Sequence, residues 1–188
     1  MKLSLVSYLD SMSSRKVREL QQKLSEITGS KASLSSWQPH VTVGDGVEVD
    51  DEQLQELQNE MIGIADQSHT FLLSLKGFST LENWKGGEDE NVSPFVIYLD
   101  VHVNPDLTRL IESIANVTTK IDKWYLMPEP YVAHCTLAFR DLSEEGFKLG
   151  VEYLQKTDLS LTATIDHLAL VEKLPSVDRE LVRFNFAE

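Results

Sequence analysis

The sequence predicts a duplicated, two-lobed α+β fold. Three observations carry that prediction: a short motif that occurs twice, a strand-then-capped-helix order at each copy, and copies set half a chain apart. Pro39-His40-Val41-Thr42-Val43-Gly44 and Ala133-His134-Cys135-Thr136-Leu137-Ala138-Phe139 both read His, apolar, Thr, apolar. Successive side chains of a strand point to opposite faces, so His and Thr two positions apart share one face and the residues between them share the other. His69, His102 and His167 are followed two residues later by Phe71, Asn104 and Ala169, so none repeats the pattern.

Taken in order, Leu3 to Leu9 is apolar and extended, and Ser13 or Ser14 can cap a helix with Val17, Leu20, Leu24 and Ile27 on one side and Gly29 as its stop. Lys31 to Ser36 reads as a polar loop leading to the first motif, a strand ending at Gly44-Asp45-Gly46. Asp50 or Asp51 opens a second amphipathic helix carrying Leu54, Leu57, Met61 and Ile64. Phe71 to Phe78 and the alternating Phe95 to Val103 read as strands, with Leu81 to Ser93 a loop around Trp84. Asn104-Pro105 is a helix start, since a capping side chain precedes a proline in the first turn, and Leu107, Leu110, Ile111 and Ile114 form its stripe. An aromatic and proline-rich stretch, Trp124 to Tyr131, runs into the second motif strand. Ser143 then caps a helix carrying Phe147, Val151 and Leu154. The tail is β: Leu159 to Ile165 alternates, the phase slips near Asp166-His167 as at a bulge, Leu174 to Arg179 turns, and Glu180 to Phe186 closes.

The chain has 188 residues, 41% hydrophobic and 25% charged, enough to bury a sizeable core. Met1 to Leu9 is too short and too polar for a signal-peptide core or a membrane helix, which places the protein in the cytoplasm, away from membranes. Cys135 is the single cysteine, excluding an intrachain disulfide, and its position between His134 and Thr136 turns it toward the core as a small hydrophobe. With 17 Lys and Arg against 30 Asp and Glu, the net charge of -13 opposes binding along a nucleic-acid backbone, which relies on basic side chains displacing counterions. A small phosphate-bearing substrate in a locally basic cleft remains compatible.

Two histidines facing one cleft supply concerted acid-base catalysis, because with an ordinary pKa near ~6.5 one can accept a proton while the other donates one. Phosphodiester hydrolysis without a metal needs that division of labour, together with donors for the non-bridging oxygens, and the hydroxyls of Thr42 and Thr136 are suitable. A single His-x-Thr in a strand carries little weight; two among five histidines arise by chance in about one sequence in a hundred. A two-histidine metal site is the weakest alternative, since threonines and not carboxylates accompany the histidines.

In these motifs, in Pro39 before the first and Gly44 after it, and in the order of elements, the sequence resembles the 2H phosphoesterases, which include 2'-5' RNA ligase and 2',3'-cyclic nucleotide phosphodiesterase proteins. The resemblance implies one bilobal α+β domain over residues 1–188, with two pseudo-symmetric antiparallel sheets flanked by helices and a central cleft. It also implies no metal or nucleotide cofactor, His40 and His134 as catalytic residues, and Thr42 and Thr136 as phosphate ligands. Many members carry an arginine soon after the second motif. Here the candidate is Arg140, which an unbroken strand would keep on the cleft face. Tyr131 and Trp37 are candidates to stack on a base or sugar, with Tyr125, Trp124 and Trp84 behind them. The expected activity is metal-independent hydrolysis of a 2',3'-cyclic phosphate or a 2'-5' linkage in a nucleotide or short RNA end; the alternative is a noncatalytic nucleotide or RNA-end binding protein using the same cleft.

Overall fold

Strand β1 (Lys2–Tyr8) is buried on both faces from Leu3 onward, the pattern of an interior strand. The computed structural model describes residues 1–36, 38–84, 92–118, 132–174 and 178–187. Asp10 begins α1 (Ser11–Thr28): one carboxylate oxygen accepts from the Met12 and Ser13 N–H groups, each at 3.0 Å, and the other from Thr164 N–H at 2.8 Å. Asp10 therefore takes the cap expected of Ser13 or Ser14. Ser13 instead turns inward and donates its hydroxyl to Thr162 O at 3.1 Å. The buried stripe becomes Ser13, Val17, Gln21 and Leu24, and Gly29 closes the helix at φ 78°, in the left-handed region that suits glycine.

Where a polar loop was expected there is a short helix, α2 (Ala32–Ser36), and β2 (His40–Glu48) runs past the glycines expected to end it. A capping box between Asp50 and Gln53 starts α3 (Asp51–Gln67), which buries Leu57, Met61 and Ala65. β3 (Phe71–Leu81) and β4 (Ser93–His102) follow, then α4 (Pro105–Thr118), whose Leu107 N–H donates to Asn104 Oδ1 at 2.9 Å. After β5 (His134–Arg140), the Ser143 hydroxyl caps α5 (Glu144–Leu154), and β6 (Ser160–Ile165), β7 (His167–Glu172) and β8 (Arg179–Asn185) complete the chain.

Among the described residues these strands form two four-stranded antiparallel sheets, ordered β2-β1-β7-β8 and β5-β4-β3-β6. The phase slip near Asp166 is therefore not a bulge: β6 belongs to the second sheet and β7 to the first, and Asp166 alone links them. Helices α3 and α4 pack on the first sheet, α1 and α5 on the second. Thus α1 leaves a strand of the first sheet to cover the second, and α4 does the reverse. Both motif strands, β2 and β5, are edges of their sheets and lie against one another. One large core joins the helix stripes to Leu3, Leu5, Val41, Val43, Leu99, Cys135 and Leu137, so the residues between each His and Thr are indeed the inward ones. Among the described residues, no helix is long and apolar enough to cross a membrane.

Candidate active site

Directly opposed residues of antiparallel strands share a face. On the first sheet His40 is opposite Tyr8; Thr42, Val6, Ala169 and Arg183 form the next row; Asp45, Ser4, Val171 and Glu180 form a third. On the second sheet His134 is opposite Asp100, and Thr136, Tyr98 and Ser79 form the neighbouring row. The structure thus brings all four motif side chains, partly buried, onto the faces lining the space between the sheets.

The two imidazoles are held alike. Nδ1 of His40 lies 2.7 Å from Gln38 O, and Nδ1 of His134 lies 2.8 Å from Val132 O, each a carbonyl two residues earlier. A carbonyl only accepts, so Nδ1 carries the hydrogen and Nε2 is the atom that gains or gives up a proton. Each ring also meets a tyrosine from the adjacent strand: Tyr8 at 6.3 Å and 78° to His40, and Tyr98 at 5.0 Å and 54° to His134. Burial pushes His40 down to about 4; the bond to Gln38 opposes this, while the charges of Lys173 and His134 add to it. His40 is therefore a neutral base at neutral pH, and it feels His134 across the cleft.

Cys135 is buried beneath them, 1% exposed, and burial pushes its thiol up to about 12 against the pull of the His40 backbone N–H. That is no setting for a nucleophile. From the helix that covers this sheet, the buried Gln21 of α1 donates Nε2 to Thr136 O at 2.9 Å, tying the second motif strand to α1. At the end of the same strand the Asp141 carboxylate accepts from the Ser30 hydroxyl at 2.6 Å and from the Lys31 N–H at 2.8 Å. It also accepts from Ala32 N–H at 3.3 Å, so the second motif strand anchors the start of α2, the helix that leads to His40.

Arg140 reaches the cleft by a different route from the one expected. Tyr98 opposes Thr136 while Ile97 opposes Ala138, so Leu137 is an extra residue, a bulge that reverses the alternation. Phe139 takes the cleft face beside Tyr98 and Val96. Arg140 then adopts φ 60°, with Asp141 N–H donating to Phe139 O at 2.7 Å in a γ-turn. Its guanidinium sits 5.3 Å over the Phe139 ring and acts on the carboxyl of Asp178. Burial raises Asp178, and Lys173, the Leu174 N–H and Arg140 pull it back. Trp84 packs on the other aromatics, 5.9 Å from Phe139. Trp37, Tyr131, Trp124 and Tyr125 lie outside the described residues. Among the described residues, no three His, Cys, Asp or Glu side chains are grouped to hold a metal ion. Tyr8, Tyr98, Gln21, Asp141 and Arg183 carry no signal in the sequence, because their placement depends on cross-strand register and on contacts far along the chain.

A sequence profile of the 2'-5' RNA ligase superfamily matches residues 9–175. The chain belongs to that superfamily. This bears out the resemblance to the 2H phosphoesterases and the expected fold. By sequence, no curated protein matches. Among solved structures, TT0787 of Thermus thermophilus superposes with a TM-score of 0.71 at 19% identity over 99% of this chain and 98% of that one. E. coli LigT complexed with 3'-AMP superposes at 0.65 and 17% identity, over 100% and 98%. The MHV ns2 PDE domain does so at 0.59 and 16% identity, over 92% and 100%. As a superfamily member, the chain carries a fold shared by ligase-like and phosphodiesterase proteins.

Proposed function

We propose that the protein is a metal-independent phosphodiesterase that hydrolyses a 2',3'-cyclic phosphate or a 2'-5' linkage in a nucleotide or short RNA end. The observation that carries this reading is the twin geometry: two histidines on facing edge strands, each locked with Nδ1 on a backbone carbonyl and each with a threonine two residues on. His40, kept neutral by burial, takes the proton of the attacking water at Nε2 as the new P–O bond forms. His134 gives its Nε2 proton to the departing ribose oxygen as the old P–O bond breaks. Thr42 and Thr136 donate to the non-bridging oxygens, and Arg140 adds a positive charge at the rim. E. coli LigT has been crystallised with 3'-AMP, NADP+ and ATP, which supports small nucleotides as the ligand class.

The test is a panel of 2',3'-cyclic nucleotides, ADP-ribose cyclic phosphate and 2'-5' oligonucleotides followed by phosphorus NMR, with and without chelator, beside His40→Ala and His134→Ala. Turnover that survives the chelator and falls at least ~100-fold in each variant is expected. Full activity in either variant refutes the reading, and tight binding without product favours the noncatalytic alternative.

A further inference from the structure

We infer that Arg183 is a substrate-binding residue on the first-sheet side of the cleft, placed to hold a second phosphate of the substrate, one nucleotide link from the ester that is cleaved. The inference rests on the functional reading above and extends it from a mononucleoside cyclic phosphate to substrates with a further phosphate. The register puts Arg183 in the same row as Thr42, and only Val6 and Ala169 stand between them. Nothing bulky in that row separates the arginine from the motif. Its side chain folds back from β8 so that the guanidinium lies 5.2 Å over the ring of Tyr8, a tyrosine whose ring also meets His167 at 5.8 Å and His40 at 6.3 Å. Arg183 is thus one aromatic ring beyond the catalytic histidine, a separation that suits a second phosphate better than the one being cleaved.

The guanidinium is oriented and not merely present. Glu180 takes the fork at Nε, 3.1 Å, and Nη2, 2.8 Å, leaving Nη1 without a partner among the described residues. Burial, with the nearby Glu180 carboxylate, pushes the Tyr8 phenol up to about 12, so the hydroxyl beside the clamp keeps its proton. An exposed ion pair of this kind adds little stability, so stability does not account for its fixed geometry. A guanidinium whose inner edge is tied to a carboxylate presents its outer donors in a fixed plane, the arrangement that suits phosphate oxygens. Paired with Glu180 the guanidinium adds no net charge to a chain of net charge -13, so what it offers a phosphate is its outer N–H donors in a fixed orientation.

The experiment compares ligands that differ only in the second phosphate. Nucleoside 3'-phosphates with and without a 5'-phosphate are titrated by calorimetry into the intact protein and into Arg183→Met and Arg183→Lys. Hydrolysis is measured on a cyclic nucleotide with and without a 5'-phosphate, and on a dinucleotide that ends in a cyclic phosphate and has one internal phosphate. The second phosphate is expected to improve affinity and kcat/KM about tenfold through KM, as one charge-assisted pair allows. Arg183→Met is expected to abolish most of that ratio within its own measurements, and Arg183→Lys to keep part of it. The dinucleotide shows whether an internal phosphate serves as well as a terminal one. A ratio near one in the intact protein, or an unchanged ratio in Arg183→Met, overturns the inference. Absence of turnover on every substrate refutes the phosphodiesterase reading instead, while the calorimetric ratio still decides the role of Arg183.

Discussion

Lowering the pH from 7 to 4 tests the environment of His40 directly. In the native protein burial holds this imidazole down to about 4, whereas an unfolded histidine titrates near 6.5. Between those values the unfolded chain binds a proton that the native site refuses, so native stability is intact above 6.5 and is lost as the pH falls through 4. The loss works out at about 3 kcal/mol at pH 4, an upper value because the ring is only partly buried. Carboxylates titrate in the same range, so the informative quantity is the stability gap between the intact protein and His40→Gln, measured by urea unfolding from pH 7 to 4. That gap is expected to move by up to about 3 kcal/mol in favour of the variant as the pH falls. Ring-carbon NMR of His40 gives the midpoint independently, and the acidic limb of the rate profile should follow it. A gap constant to within about 0.5 kcal/mol, or a midpoint above 6, would refute the assignment of His40 as a neutral buried base.

Cys135 should resist Ellman's reagent in the folded protein and react fully in urea, since its thiol is buried and pushed up to about 12; rapid labelling of the native protein would contradict the core placement. Gly146→Ala puts a methyl group 2.6 Å from Thr28 O, so α1 and α5 must separate, costing about 1–3 kcal/mol in urea unfolding; an unchanged midpoint would show the contact to be looser. Asp141→Ala removes the acceptor for Ser30, Lys31 and Ala32, and is expected to cost about 1–2 kcal/mol and to lower kcat/KM, because α2 leads directly to His40; a stability loss with unchanged kinetics would confine Asp141 to a structural role.

What the sequence made legible was local. The His and Thr of each motif share a face because strand alternation is a nearest-neighbour property, and the same rule turned Cys135 inward. The caps at Asp50, Asn104 and Ser143 and the stop at Gly29 each involve residues within one turn. What stayed hidden was set by partners far along the chain. α2 looked like a loop because the carboxylate that anchors its start is Asp141. Ser13, a cap candidate by sequence, and Gln21, off the apolar stripe, are both buried and bond strand carbonyls of the second sheet, Thr162 O and Thr136 O. A one-residue break at Asp166 reads the same whether a strand kinks or changes sheet. Arg140 could not be placed from an even count of residues, because the bulge at Leu137 comes from pairing with β4.

The exchange of α1 and α4 between the sheets bears on how the cleft can move. Drawing the sheets apart would pull α1 by its connections to β1 and β2 while Gln21 and Ser13 hold it to β5 and β6, and would stretch the single residue between β6 and β7. These ties resist any widening of the gap between the strands that carry His40 and His134. If the proposed phosphodiesterase reaction runs in such a clamp, it would draw little on induced closure, and the substrate would have to conform to the gap.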